Sequence, residues 1–185
     1  MSKNQETPYL LNKGCMYLLA GLLLFMSLLA LPAHALGSSK EKRLDEVAER
    51  GAYIMPFDLE KTTHVFTKTA GGGIQQVVAK DKSDAEQIRL IRNHLLEISE
   101  AFKQRNFSKP ENIHGEDMPG LAELKAAGSD QITIEYSTLP DGAQIKYSSK
   151  LSRFIKAIHQ WFDAQLSDHA RHAAPGYQHH HMQHE

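Results

Sequence analysis

Downstream of residue 60 the chain alternates short β-branched runs with longer stretches in which apolar residues recur every three or four positions, and this order occurs twice. Residues 62–69 (TTHVFTKT) and 74–79 (IQQVVA) flank Ala70-Gly71-Gly72-Gly73, whose glycines accept the backbone angles of a tight turn. Residues 131–138 (QITIEYST) and 143–147 (AQIKY) flank Pro140-Asp141-Gly142 in the same way. Each pair predicts an antiparallel hairpin. In the second, Ile132, Ile134 and Tyr136 alternate with Thr133 and Glu135, the period of a half-buried strand.

Each hairpin leads into an amphipathic helix. Ser83 with Glu86 three residues on forms a capping box, after which Ile88, Ile91, Leu95, Ile98 and Phe102 make an apolar stripe. In the second unit Leu151, Ile155, Ile158, Phe162 and Leu166 repeat that spacing, 67 residues later, while the glycine turns superpose with a shift of 69. The near-equal shifts point to an internal duplication. The fold expected is α+β: two ββα units forming a four-stranded antiparallel sheet with both helices on one face, the other face polar or partnered.

The remaining segments are read by contrast with these units. Residues 16–31 (MYLLAGLLLFMSLLAL) are apolar and uncharged, follow Lys3 and Lys13, and precede a small-x-small site at Ala33 and Ala35. Positive leader, apolar stretch and small-residue site are the three parts of a secretory signal, so residues 1–35 are expected to be removed; the competing reading is a retained membrane anchor. Residues 36–55 form a charged leader, solvated or a short helix closed by Gly51, with Leu44 and Val47 as its apolar contacts. Residues 56–172 make the domain, with a long crossover at 106–130 in which Pro119 opens a short helix. Residues 173–185 (AAPGYQHHHMQHE) have too little apolar content to fold alone and are expected to be a disordered tail.

Composition sharpens the address and narrows the chemistry. Of 21 basic and 22 acidic residues, loss of Lys3, Lys13 and Glu6 leaves 19 against 21, a balance without the basic footprint of a nucleic-acid protein. The one cysteine, Cys15, lies before the expected cut, so the mature chain has neither disulfide nor thiolate ligand. Histidine stands out: ten of the eleven follow Ala35. No phosphate-binding glycine loop, nucleophile elbow or zinc-protease His pair is present.

Three islands could carry chemistry. In His114-Gly115-Glu116-Asp117-Met118 an imidazole, two carboxylates and a thioether fall within five residues and could converge on one ion; the alternative is that Asp117 caps the following helix, Met118 fills the core and His114 bonds a turn carbonyl. His159 and Asp163, four apart on one helix side, form a candidate acid-base pair or an oriented ligand, against a boundary histidine satisfied by a neighbour. Asp168, His169 and His172 extend that side. His94 reads as helix surface and is not paired with His159, because under the shift of 67 it falls opposite Trp161; His64 reads as strand surface by a narrow margin. The tail donors His179, His180, His181, Met182 and His184 suit copper or zinc, the thioether favouring Cu(I).

PFDLEKTTHVF, IHGEDMPGLAEL and WFDAQLSDH, spanning about residues 55–169, resemble a small family of exported bacterial proteins without an assigned mechanism, at times labelled aspartate carbamoyltransferase. The resemblance implies export. It does not bring that enzyme's chemistry: the chain has no Ser-Thr-Arg-Thr phosphate loop, and the residues after 35 are too few for its two α/β domains. The expectation is therefore a periplasmic or secreted metal-binding protein for copper or zinc, without an organic cofactor. His114, Asp117, Met118, His159 and His169 are the domain ligands, and the tail stores or delivers ions. The alternatives are a small periplasmic enzyme using His159 and Asp163 near His114, with catalysis not the favoured reading, and a non-catalytic module docking another periplasmic protein. Membrane contact follows only if the apolar segment is retained.

Overall fold

The computed structural model describes the backbone of residues 33–176 and side chains from residue 39. Residues 1–32 of the expected signal segment and the tail donors from His179 onward lie outside the described residues. The chain divides into a unit of residues 1–39 and one of residues 40–185, and the second carries the whole sheet.

The two hairpins form as the alternation predicts, β1 (Thr62–Thr69) with β2 (Gly72–Ala79) and β3 (Thr133–Leu139) with β4 (Gly142–Ser148). They join through β2 and β4, antiparallel, with Gln75 opposite Ile145. That register places the halves about a two-fold axis, since Gly72 pairs with Ser148 and Gly142 with Val78. The glycines are needed there. A Cβ on Gly72 would stand 2.1 Å from the Tyr147 carbonyl oxygen, and one on Gly142 would stand 2.0 Å from that of Val77.

Helix α2 (Ala85–Lys103) follows the first hairpin and α5 (Ser152–Asp168) the second. Tyr147 of β4 meets Phe102 of α2 and Trp161 of α5, while Phe66 of β1 meets Phe162, so both helices cover one sheet face. Ile91, Leu95, Ile158, Trp161 and Phe162 are at most 1% exposed. At about 25 cal/mol per Å² of apolar surface, this layer is the main source of stability.

The α+β class holds, but the sheet is not four-stranded and antiparallel. A fifth strand, β5 (Ala173–Pro175), lies parallel to β1 at the sheet edge, giving the order β3-β4-β2-β1-β5. Residues 173–175 therefore belong to the sheet and not to a disordered tail. The reason is the turn after α5, which returns the chain so that the His64 amide donates to the His172 carbonyl (2.8 Å) and the Gly176 amide to that of Phe66 (2.9 Å). A proline is tolerated there because an edge strand leaves one side of its backbone unpaired.

Three further expectations are corrected. The charged leader is helix α1 (Ala33–Ile54), which runs on through Gly51. It is docked on the domain by buried Leu44 and Val47, by Arg43 on Asp168, and by Arg50, whose Nε donates to the Ile113 carbonyl at 2.7 Å. Helix α2 is capped by Asp84, which accepts from the Gln87 amide; Ser83 instead pairs with Asp81. In α5 the inward face is Phe154, Ala157, Ile158, Trp161, Phe162 and Gln165, rotated from the expected stripe, and Leu151 is 41% exposed.

The crossover carries two short helices, α3 (Ser108–His114) and α4 (Leu121–Lys125). The guanidinium of Arg105 fastens it by donating to the carbonyls of Ala127 (3.0 Å) and Gly128 (2.8 Å). Among the described residues no helix is long and apolar enough to cross a membrane.

Gly72→Ala and Gly142→Ala should each cost about 1–3 kcal/mol through forced backbone movement, read as a lowered urea midpoint. Gly72→Ala should cost more, because its φ of 147° adds strain to the clash. Equal midpoints to the unsubstituted chain would contradict the close β2–β4 contact.

Candidate functional site

Histidines from four elements converge beneath the inner sheet face. His64 lies on β1 in phase with Phe66, His94 on α2, His114 at the end of α3, and His169 at the end of α5. All four are buried, at 3%, 7%, 4% and 3% exposure. The His64 and His169 rings are parallel with centroids 5.0 Å apart, and the His114 ring meets His169 edge-on at 4.7 Å. All four line one cavity of about 40 Å³.

Their electrostatics follow from burial. His64 is pushed down to about 3, by loss of hydration first and then by His94, His172 and His114. His94 falls to about 4, by burial and then the Lys109 ammonium. His169 lies well below the ordinary imidazole range for the same leading reason, with His64 and His114 next. These imidazoles are neutral near pH 7. His64 Nδ1 and His172 Nδ1 are buried without a hydrogen-bond partner among the described residues.

His114 is held differently. Its Nδ1 donates to Asp168 Oδ2 at 2.9 Å, and the same carboxylate takes a two-armed contact from Arg43, Nε to Oδ1 at 2.8 Å and Nη2 to Oδ2 at 2.7 Å. Burial of Asp168 disfavours its charge, but the hydrogen bonds from His114 and Arg43 prevail and hold its pKa below the ordinary aspartate value. A carboxylate only accepts, so His114 keeps its proton on Nδ1. Nε2 is then the atom left to bind, the arrangement found for metal-bound histidines.

Outside this cluster an open groove of about 700 Å³ runs between the crossover and α5, bordered by Arg43, His114, Glu116, Asp117, Met118 and Asp163. Within the 114–118 turn, His114 is in ring contact with His169, Met118 is buried at 5% exposure and Asp117 is exposed. Asp117 does not cap α4 either, since the cap position is Gly120.

His159 is committed elsewhere. Its Nε2 lies 3.0 Å from the Thr69 carbonyl and 2.8 Å from that of Gly72, to which it can only donate, so it fastens the β1–β2 turn. Asp163 pairs with Lys68 across the sheet edge and is no partner of His159. The expected His159–Asp163 pair is thus not assembled.

Two residues set aside in the sequence belong to the cluster. His94 stands three after Ile91 and four before Ile98, which places it on the apolar stripe. His64 alternates in phase with Thr62 and Phe66, all three buried. Both signals are present in the spacing; a polar side chain masks them. Met55, 9% exposed, also lines the cavity. No known protein family, curated protein or solved structure matches the chain.

Two outcomes are expected. In chelator-treated protein, stability should be complete above about pH 6.5, where unfolded histidine is neutral, and fall as pH drops toward 4. The unfolded chain then binds protons that His64, His94 and His169 refuse in the fold. The slope reaches roughly 4 kcal/mol per pH unit if all three contribute, and a flat denaturation midpoint between pH 7 and 4.5 would contradict it. Separately, His159→Ala should cost about 1 kcal/mol by freeing the hairpin turn, measured by urea unfolding, with no effect on ion binding.

Proposed function

We propose that this chain is an exported metal-binding protein whose ion site is the interior cluster of His64, His114 and His169, for copper or zinc. The observation that carries this reading is the succession of three imidazoles in ring contact around one cavity, with His114 held in register by Asp168. Neutral imidazole is the form that ligates, and burial keeps His64 and His169 in it. The cavity's volume, about 40 Å³, is far below the several hundred that an organic ligand needs. It admits water or an ion.

Among the described residues no group of three or more His, Asp or Glu side chains is spaced to enclose an ion. Binding therefore requires the rings to close on the metal, turning about their side-chain bonds. His64 Nδ1, buried without a partner, gains from that movement what the interior does not supply.

A second reading is favoured by one observation. His114, positioned by Asp168, also borders the open groove, so an acid-base role would fall to His114 and Asp168 in place of His159 and Asp163. That reading needs a substrate in the groove and no metal.

Calorimetric titration with Zn and Cu decides between them. With the tail donors His179, His180, His181, Met182 and His184 all replaced by Ala in the full chain, one ion per chain should still bind with a Kd below roughly 10 μM, about -7 kcal/mol. Joint replacement His64→Phe and His169→Ala should abolish it. If saturation disappears with the tail donors alone, the interior site is not a metal site.

A further inference from the structure

The cavity lining discriminates among ions, and this inference rests on the metal-binding reading above. Beside the four imidazoles Met55, a thioether-bearing residue one past the end of α1, lines the cavity, its amide donating to the Gly51 carbonyl at 2.8 Å. The lining contains no carboxylate. Its one ammonium, Lys109, is paired with Glu97 at 2.7 Å, so the formal charges around the cavity do not favour a doubly charged ion.

Hard cations are disfavoured because they seek several oxygen donors with carboxylates among them, and the lining supplies only the side-chain amides of Gln75 and Gln165. Between the two ions that imidazole suits, charge and coordination decide. The cost of carrying an ion into a low-dielectric interior rises with the square of its charge, so with only neutral donors Zn²⁺ is penalised about fourfold more than Cu⁺. Zinc also asks for four ligands in tetrahedral array. Cu(I) is satisfied by two or three donors and prefers soft ones, among which thioether sulfur is selective.

We propose that the interior cavity is a Cu(I) site of mixed imidazole and thioether type, in which Met55 joins His64, His114 and His169 and sets the preference for Cu(I) over zinc. His94 stands on the same cavity as a further imidazole.

The test uses the full chain with the five tail donors replaced by Ala. Cu(I) affinity is measured anaerobically with ascorbate by competition against a chromogenic Cu(I) chelator, and zinc affinity by competition against a zinc indicator. Met55→Leu keeps side-chain volume and should weaken Cu(I) binding at least tenfold while changing zinc affinity less than twofold. X-ray absorption of the Cu(I) form should show one sulfur neighbour, lost in Met55→Leu. Cu(I) binding without a sulfur neighbour in the unsubstituted site overturns the proposal even if the variant fails to fold. Zinc bound as tightly as Cu(I), with His64→Phe abolishing both, overturns the selectivity and leaves the metal-binding reading standing. Absence of binding by either ion overturns both.

Discussion

The interaction on which the site's geometry depends is the buried carboxylate of Asp168. It ends α5, and its two partners come from α1 and α3, 125 and 54 residues away in sequence. A carboxylate at 7% exposure is tolerable only when its charge is met, so its removal from water is offset by a two-armed guanidinium and an imidazole donor. Losing Arg43 would leave the charge uncompensated, which costs more than the pair is worth. This is why a helix as polar as α1 docks at all. Its apolar contribution centres on Leu44 and Val47, and Arg43 and Arg50 bind the last turn of α3 through the His114 and Ile113 carbonyls. His114 is therefore fixed by its side chain and by its own backbone.

The two-fold relation of the halves shows what the histidines replace. Seventy positions after His64 the second hairpin has Ile134, opposite Tyr147 as His64 is opposite Val77. Sixty-seven positions after His94, α5 has Trp161. At these two equivalent positions the second unit thus has Ile134 and Trp161, the latter packed with Phe102, Phe107 and Tyr147, while the first has imidazoles that line a cavity. Equivalent backbone positions accept a close-packed apolar core, so the imidazoles are not required by the fold. They carry a cost in unmet hydrogen bonds and acid sensitivity that apolar residues would avoid. Such departures from local consistency concentrate where a protein functions.

The hairpins, the α2 stripe and the duplication are legible in the sequence because hydrophobic period reports the buried face directly. Residues 62–69 and Ile88 to Phe102 need no tertiary information. What escapes is set by partners far along the chain. Ala173, Ala174 and Pro175 have no strand signal, and they pair because the preceding turn delivers them to β1. The leader looks solvated as long as its charges are counted without their partner, Asp168. For the site, His114 and His169 stand out as neighbours of chemistry, while His64 and His94 do not, because a titratable side chain in an apolar phase resembles a surface residue. His159 illustrates the converse. Its spacing to Asp163 is suitable, yet the hairpin carbonyls it meets lie 87 and 90 residues away and cannot be foreseen.

His114 is shared by the linings of the groove and of the cavity, and the donors on its two sides differ in kind. The groove presents Glu116, Asp117 and Asp163, oxygen anions that raise the local concentration of cations without binding any one of them tightly. The cavity presents neutral nitrogen and sulfur. Asp168 fixes the tautomer of this imidazole, leaving Nε2 as its ligating atom. The same carboxylate that docks α1 therefore also defines the donor at the junction between solvent and interior.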